Sequence, residues 1–560
     1  MSTFSDDPIS LRLGGHILAD ALVANGVDTA FCVPGESYLP LLDGLYEHRE
    51  KVALYICRQE GGAAFMADAY GKLTGRPGIC LVTRGPGACN ASIGVHNAAQ
   101  DSSPMILLVG QVGADCADRE AFQEIDIRRV FGPIAKWAAQ IDSIDRIGEY
   151  ISRAFYVAQS GRPGPVVLGL PENVLFGRAV AAGINPAMVV QASPSGQDIA
   201  RLKEILESAH RPMVILGGSG WNVQSCSHIR AFVENNRLPV ACAFRFQDLF
   251  DNRHPNYAGD VGLGINPLLA KRIKEADVLL VIGARLGEAT TSGYTLLDVP
   301  APKQRLIHVH AGNDELGKVY QAELPINAGM PQFARALADV RVRSDAWAGA
   351  CQEARGEYLS HTTLPRISGS LQMSEVVRYV QERLPEDAIV TNGAGNYAIW
   401  MNRYFKYRRF HTQLAPTSGA MGYGVPASIA AKIVHRDRVV LSWNGDGCFM
   451  MNGQELATAV RYGLNIVFVI VNNGMFGTIR MHQEMHYPGR VHGTGLENPD
   501  FLALALAYGA HGERVTHSEE FPAAFERALA AGKPAVIELV VDPEAITPTQ
   551  TISGLRAAVR

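Results

Sequence analysis

The sequence predicts an α/β protein made of three doubly wound parallel-sheet domains. Short apolar runs of about five residues alternate with helix-length amphipathic segments, the pattern of parallel strands covered on both faces. Roughly a dozen such runs are visible, too many for one sheet. The chain has 560 residues, a length that by itself suggests about three or four domains.

The runs follow one another along the chain. Val52–Cys57, Ile79–Thr83, Met105–Gly110 and Val166–Leu170 read as strands of a first domain. Met213–Gly217, Val278–Gly283 and Leu306–His310 read as a second set, and Ala388–Thr391, Val439–Trp443, Ile466–Val471 and Ala535–Val541 as a third. Two small or polar stretches, Ala187–Asp198 and Leu359–Ser370, interrupt the rhythm and serve as expected linkers. The expected domains are therefore residues 1–185, 186–365 and 366–560.

Composition narrows the function. Hydrophobic residues make up 47% and charged residues 19%, which excludes a disordered chain. Lys+Arg 51 against Asp+Glu 55 leaves a net charge of −4, so no basic excess draws in nucleic acid or an anionic membrane. No apolar run reaches the ~18 residues of a membrane span, and the N-terminal stretch lacks the pattern of a secretory signal. The nine cysteines are scattered without a Cys-x-x-Cys pair. They read as reduced thiols, and the expected compartment is the cytoplasm.

The strongest chemical signal lies in the last third. The Val439–Trp443 run leads into Asn444-Gly445-Asp446-Gly447-Cys448, and the Ile466–Val471 run leads into Asn472-Asn473-Gly474-Met475. If these strands are neighbours, both turns lie at the carboxyl edge of one sheet, where open α/β sheets bind ligands. Glycines at 445 and 447 allow main-chain amides close to phosphate oxygens. Asp446 and Asn473 offer an anionic and a neutral oxygen, the hard donors that Mg²⁺ takes alongside substrate phosphates. A magnesium diphosphate site is the physical reading.

Gly-Asp-Gly followed at this distance by Asn-Asn resembles the thiamine diphosphate motif. The likeness extends to Arg58-Gln59-Glu60-Gly61-Gly62-Ala63-Ala64, to the segment from Ala69 to Gly78, to Val82-Thr83-Arg84-Gly85-Pro86-Gly87-Ala88, to Gly110-Gln111-Val112 and to Ala121-Phe122-Gln123-Glu124. Together these resemble the acetolactate synthase, pyruvate oxidase and 2-oxo acid decarboxylase branch of thiamine diphosphate enzymes, over essentially the whole chain. The resemblance implies a pyrimidine-binding, a central and a diphosphate-binding domain, in that order. It implies thiamine diphosphate and Mg²⁺ as cofactors, a small 2-oxo acid as substrate, and a homodimer or homotetramer.

Individual residues carry over with the motifs. Glu60 matches the glutamate that hydrogen-bonds the aminopyrimidine ring. Met421 and Gly419 match the segment that holds the cofactor bent. Asn396 and Tyr397 stand where acetolactate synthases commonly place Gln and His on the diphosphate. Gly445, Asp446, Gly447, Cys448 and Asn473 form the diphosphate and metal motif, with the Met475 carbonyl as a third metal ligand. Phe122, Gln123 and Lys136 match positions lining the substrate channel.

Several positions depart from the pattern. Glu36, in Val33-Pro34-Gly35-Glu36, stands where acetolactate synthases usually have Gly and simple decarboxylases Asp. It reads as an acid or base beside the reacting carbon, or as a helix-start carboxylate. His482 falls where acetolactate synthases carry Trp; it reads as an acceptor-binding group or as a surface residue of the polar segment 477–497, a candidate lid. His96 is an isolated candidate. The central turns at 216–220 and 282–287 look nucleotide-binding, but Gly287-Glu288-Ala289 replaces the usual Asp-Asp-Arg, which leaves FAD open. The implied reaction is decarboxylation of a 2-oxo acid with transfer of the acyl unit to a second carbonyl. A non-ligating decarboxylase, a flavin-dependent oxidase and a binding protein on the same scaffold are the rivals.

Overall fold

A computed structural model describes residues 11–181, 183–342 and 345–558. They form two compact units, which divide between Val190 and Gln191.

The first unit holds a six-stranded parallel sheet in the order Ala53–Ile56, Thr29–Cys32, Gly78–Thr83, Met105–Gln111, Pro165–Pro171, Trp137–Gln140. The helices Glu60–Thr74 and Arg84–Asp101 leave the carboxyl ends of their strands and pack on each other. Their Gly- and Ala-rich sequences allow that close approach. Most of the Glu60–Thr74 helix is buried, Asp68 included.

The second unit contains two further parallel sheets. One runs Tyr257–Val261, Val240–Ala243, Pro212–Leu216, Val278–Ile282, Arg305–His310, Leu324–Asn327. The other runs Gln413–Leu414, Ile389–Asn392, Val440–Gly445, Val467–Asn472, Ala535–Val540, His511–Val515. The second is sealed by a core that includes Trp443, Phe525, Val469 and Ile537. The three doubly wound sheets match the expected fold class.

Every run singled out in the sequence is a strand, shifted by a residue or two. The strands not anticipated lie mostly at sheet edges or are very short, such as Gln413–Leu414 and Leu324–Asn327. Partial exposure dilutes the apolar signal at Leu324–Asn327, whereas Gln413–Leu414 is buried and too short to read as a run. Both expected linkers overlap helices: a capping box between Ser195 and Asp198 starts the helix Gly196–Glu207, and the helix Ala350–His361 runs into the second stretch. All nine cysteines are free thiols. Among the described residues no helix is long and apolar enough to cross a membrane.

Candidate active site

Asp446 and Asn473 meet because their strands are neighbours. Val440–Gly445 pairs with Val467–Asn472 in parallel register, Gly445 opposite Val471. Strand gives way to helix at Asp446 itself, the first residue of Asp446–Asn452, and a turn at Gly453–Glu455 leads into a second short helix, Leu456–Arg461. The Asp446 carboxylate is buried and well held. Oδ1 accepts from the Gly447 amide at 2.9 Å; Oδ2 accepts from the Gly474 amide at 2.9 Å and from Asn498 Nδ2 at 2.8 Å. Burial pushes its pKa up, and these hydrogen bonds oppose the push. Asn472 donates to Glu538 at 2.7 Å while its Oδ1 accepts from the Gly474 amide at 3.1 Å, and Asn473 is the amide that lines the cleft.

The cleft at this strand edge encloses a cavity of about 260 Å³ and is lined by Asp446, Asn473, Met475, Met421, Gly419 and Asn396 among others. Tyr397 forms part of its floor: its hydroxyl donates to Cys448 Sγ at 2.9 Å, and its ring packs over Gly445. A Cβ on Gly445 would stand 2.6 Å from that ring, so only glycine fits there. Burial pushes the Cys448 thiol up, which makes it a neutral packing group rather than a nucleophile. Asn396 bridges the cleft walls, accepting from Thr478 Oγ1 at 3.0 Å and donating to the Ile546 carbonyl at 3.1 Å.

The first unit presents its own strand edge. Glu60 opens the helix after Ala53–Ile56, and Asn90 Nδ2 donates to its Oε2 at 2.9 Å. Glu36 follows the adjacent strand, Thr29–Cys32. Gln123 has φ +65°, and its carbonyl accepts from the Gly85 amide at 2.8 Å. Phe122 beside it is 73% exposed.

Comparison with known proteins decides the family. Residues 12–130, 199–337 and 393–539 match, respectively, the N-terminal TPP binding domain, the central domain and the C-terminal TPP binding domain of thiamine pyrophosphate enzymes. The chain belongs to the thiamine pyrophosphate enzyme family. It is 31% identical to the acetolactate synthase large subunit of Parasynechococcus marenigrum (strain WH8102), over 94% of this chain and 87% of that one. It is 29% identical to the acetolactate synthase isozyme 2 large subunit of Escherichia coli (strain K12), over 94% and 95% of the two chains. A probable acetolactate synthase large subunit of Methanocaldococcus jannaschii is 30% identical over 96% of this chain and 93% of its own. This thiamine pyrophosphate enzyme is thus acetolactate synthase-like.

The residues present fit a thiamine diphosphate with its metal. The donors at the turn are one carboxylate, one amide oxygen and main-chain carbonyls. Among the described residues no group of three or more His, Cys, Asp or Glu side chains could hold a metal ion. A site so poor in charge suits Mg²⁺ that completes its shell with phosphate and water.

Three of the singled-out side chains make other contacts or face solvent in this chain. Lys136 precedes the Trp137–Gln140 strand, at the amino edge of the sheet, opposite Glu60 and Glu36. Its ammonium caps the C-terminal end of the Ile147–Gln159 helix through the carbonyls of Val157 and Ser160. His482 is exposed on the helix Gly477–His486, paired ring to ring with His486 and outside the cleft lining. His96 is exposed on the Arg84–Asp101 helix. The segment 477–497 is no loose loop: Met475 bridges Gly495, and the Phe476 amide donates to the Thr494 carbonyl at 2.9 Å.

The central glycines of this thiamine pyrophosphate enzyme have a packing role. A Cβ on Gly218 would lie 2.1 Å from the Gly283 carbonyl, so the two turns lean on each other. That contact accounts for both glycines without FAD. Sequence reasoning missed Asn498 and Asn90. Each is a lone Asn outside the quoted motifs, and only the folded chain puts it beside Asp446 or Glu60.

Proposed function

We propose that this enzyme decarboxylates a pyruvate-like 2-oxo acid and joins the remaining acyl unit to a second carbonyl compound. The observation that carries the reading is the pairing of Asp446 and Asn473 on neighbouring strand ends, facing a cleft lined by Met421 and Gly419. Asp446, Asn473 and the Met475 carbonyl hold Mg²⁺ on the diphosphate; Gly445, Gly447, Asn396 and Tyr397 line its berth. Met421 and Gly419 keep the cofactor bent. Glu60, braced by Asn90, holds the aminopyrimidine. Thiamine diphosphate supplies the carbanion-stabilising centre for loss of CO₂ and for acyl transfer. Glu36 moves a proton beside the reacting carbon, while Phe122 and Gln123 border the substrate. The proposed assembly is a homodimer or homotetramer, and the free cysteines suit the cytoplasm.

The test is product analysis. Purified protein receives pyruvate, thiamine diphosphate and Mg²⁺, with and without FAD, and products are followed by NMR. Acetolactate or another acyloin without a need for FAD is expected. Acetaldehyde as the sole product would sink carboligation; turnover only with FAD would sink the flavin-independent reading.

A further inference from the structure

Three strand ends of the first unit carry a charge cluster. Glu36 follows Thr29–Cys32, Arg84 follows Gly78–Thr83, and Glu172 follows Pro165–Pro171. In sheet order one strand, Met105–Gln111, separates the second from the third. Arg84 reaches past it. Its Nη2 pairs with Glu172 Oε1, and its Nη1 donates to the Phe122 carbonyl at 3.3 Å. Nη1 also lies 3.7 Å from Glu36 Oε1, beyond hydrogen-bonding distance.

Arg84 is a costly residue here. Its φ is +35°, a strained value for a bulky side chain. It places a cation in the first turn of the Arg84–Asp101 helix, against the helix dipole. Its side chain is 12% exposed, and its buried Nε has no hydrogen-bond partner. Stability does not account for such a placement. Its charge is spent on Glu172, whereas the Glu36 carboxylate, 61% exposed, is only loosely paired. Two carboxylates against one guanidinium leave the cluster with one negative charge.

We infer that Glu36, Arg84 and Glu172 set acceptor specificity, favouring an uncharged carbonyl acceptor, an aldehyde, over a second 2-oxo acid. This rests on the proposed decarboxylation and carboligation, which put the reacting carbon near Glu60 and so near the adjacent strand end that carries Glu36. A negative charge there repels an acceptor carboxylate and is indifferent to an aldehyde. Glu36 is the specificity residue; Glu172 is a positioning residue that holds the Arg84 guanidinium and so keeps the Glu36 charge uncancelled.

The test gives pyruvate as donor and lets propanal compete with pyruvate as acceptor, scoring mixed acyloin against acetolactate. The native protein should favour the mixed product. Glu36→Gln, at an exposed position that spares the fold, should move the ratio roughly tenfold toward acetolactate, the effect of removing one charge near the acceptor. Glu172→Gln unmasks Arg84 and should move it the same way, whereas Arg84→Met should not. Product ratios within about twofold of native in both Gln variants, at whatever turnover they retain, would overturn the inference alone, because a lost Glu36 proton transfer slows both products while the ratio reads the choice of acceptor. Absence of C2 proton exchange on the cofactor in the native protein would overturn the proposed function, and this inference with it.

Discussion

Asn498 Nδ2 lies 2.8 Å from Asp446 Oδ2 and 3.0 Å from Asn472 Oδ1, so one side-chain amide ties the ends of two neighbouring strands. It orients the carboxylate assigned to the metal without itself being a ligand. Outer-sphere partners of this kind typically contribute about 10–100-fold to metal affinity. Asn498→Ala should weaken Mg²⁺-dependent binding of thiamine diphosphate by about tenfold or more, with little change in the melting temperature of the apo protein. Titration of the cofactor by calorimetry checks this; native affinity would show that Asp446 needs no such brace.

Asp446→Ala removes the one charged oxygen at the turn. Mg²⁺-dependent cofactor binding should be lost, and EDTA treatment of the native protein should reproduce the loss. Equal cofactor affinity with and without metal would put the metal elsewhere.

Glu60→Gln should abolish exchange of the cofactor C2 proton while leaving the fold and cofactor affinity largely intact. Asn90→Ala, which only removes a donor to Glu60, should slow exchange less, by about tenfold. Hydrogen–deuterium exchange followed by NMR separates the two. Native rates in Glu60→Gln would remove Glu60 from the chemistry.

Gly445→Ala should displace the Tyr397 ring, since the new Cβ would start 2.6 Å from it. Overpacking of this kind costs about 1–3 kcal/mol. Lower cofactor affinity should accompany the lower stability. A chemical melt with a native midpoint would show that the ring moves freely.

Glu484 gives a pH dependence. It is buried and takes hydrogen bonds from Arg556 at 2.6 and 2.7 Å, from Arg480 at 2.8 Å and from the Gly489 amide at 2.9 Å. The Arg556 hydrogen bonds, with smaller help from Gly489 and Arg480, lower its pKa from 4.5 to about 2. A carboxylate depressed on folding stabilises the native state above its unfolded value. That stability is lost as pH falls from about 4.5 toward 2. Glu484→Gln should lower the melting temperature at pH 7, and the gap from native should close on acidification through that window. A constant gap would refute the linkage.

Much of this arrangement is legible in the chain itself. Central strands such as Val278–Ile282 and Met105–Gln111 are buried on both faces, so they read as apolar runs. The Gly-Asp-Gly and Asn-Asn turns are legible because they break the chain at the ends of two neighbouring strands. Edge strands such as His511–Val515, with Glu513 and Arg514 in it, lack that signal. Lys136 shows the limit of matching by position: a shared lysine says nothing about which end of a strand it occupies. Asn498 and Arg84 depend on long-range folding, since each acts on a group dozens of residues away.

The cleft also has an order of manufacture. Its lining begins at Ile367 and includes Ile546, whose side chain joins Ile552 and Leu555 against Met475 and Met481. The unit carrying Glu60 and Glu36 is therefore translated, and free to fold, before any residue of the diphosphate cleft exists. The cleft wall waits for Ile546, and the Glu484 carboxylate is buried without a second arginine until Arg556 arrives. A ribosome stalled between those points holds a finished substrate edge and an unfinished cofactor berth. Cofactor should be captured only after synthesis has passed them, late in the nascent chain's life.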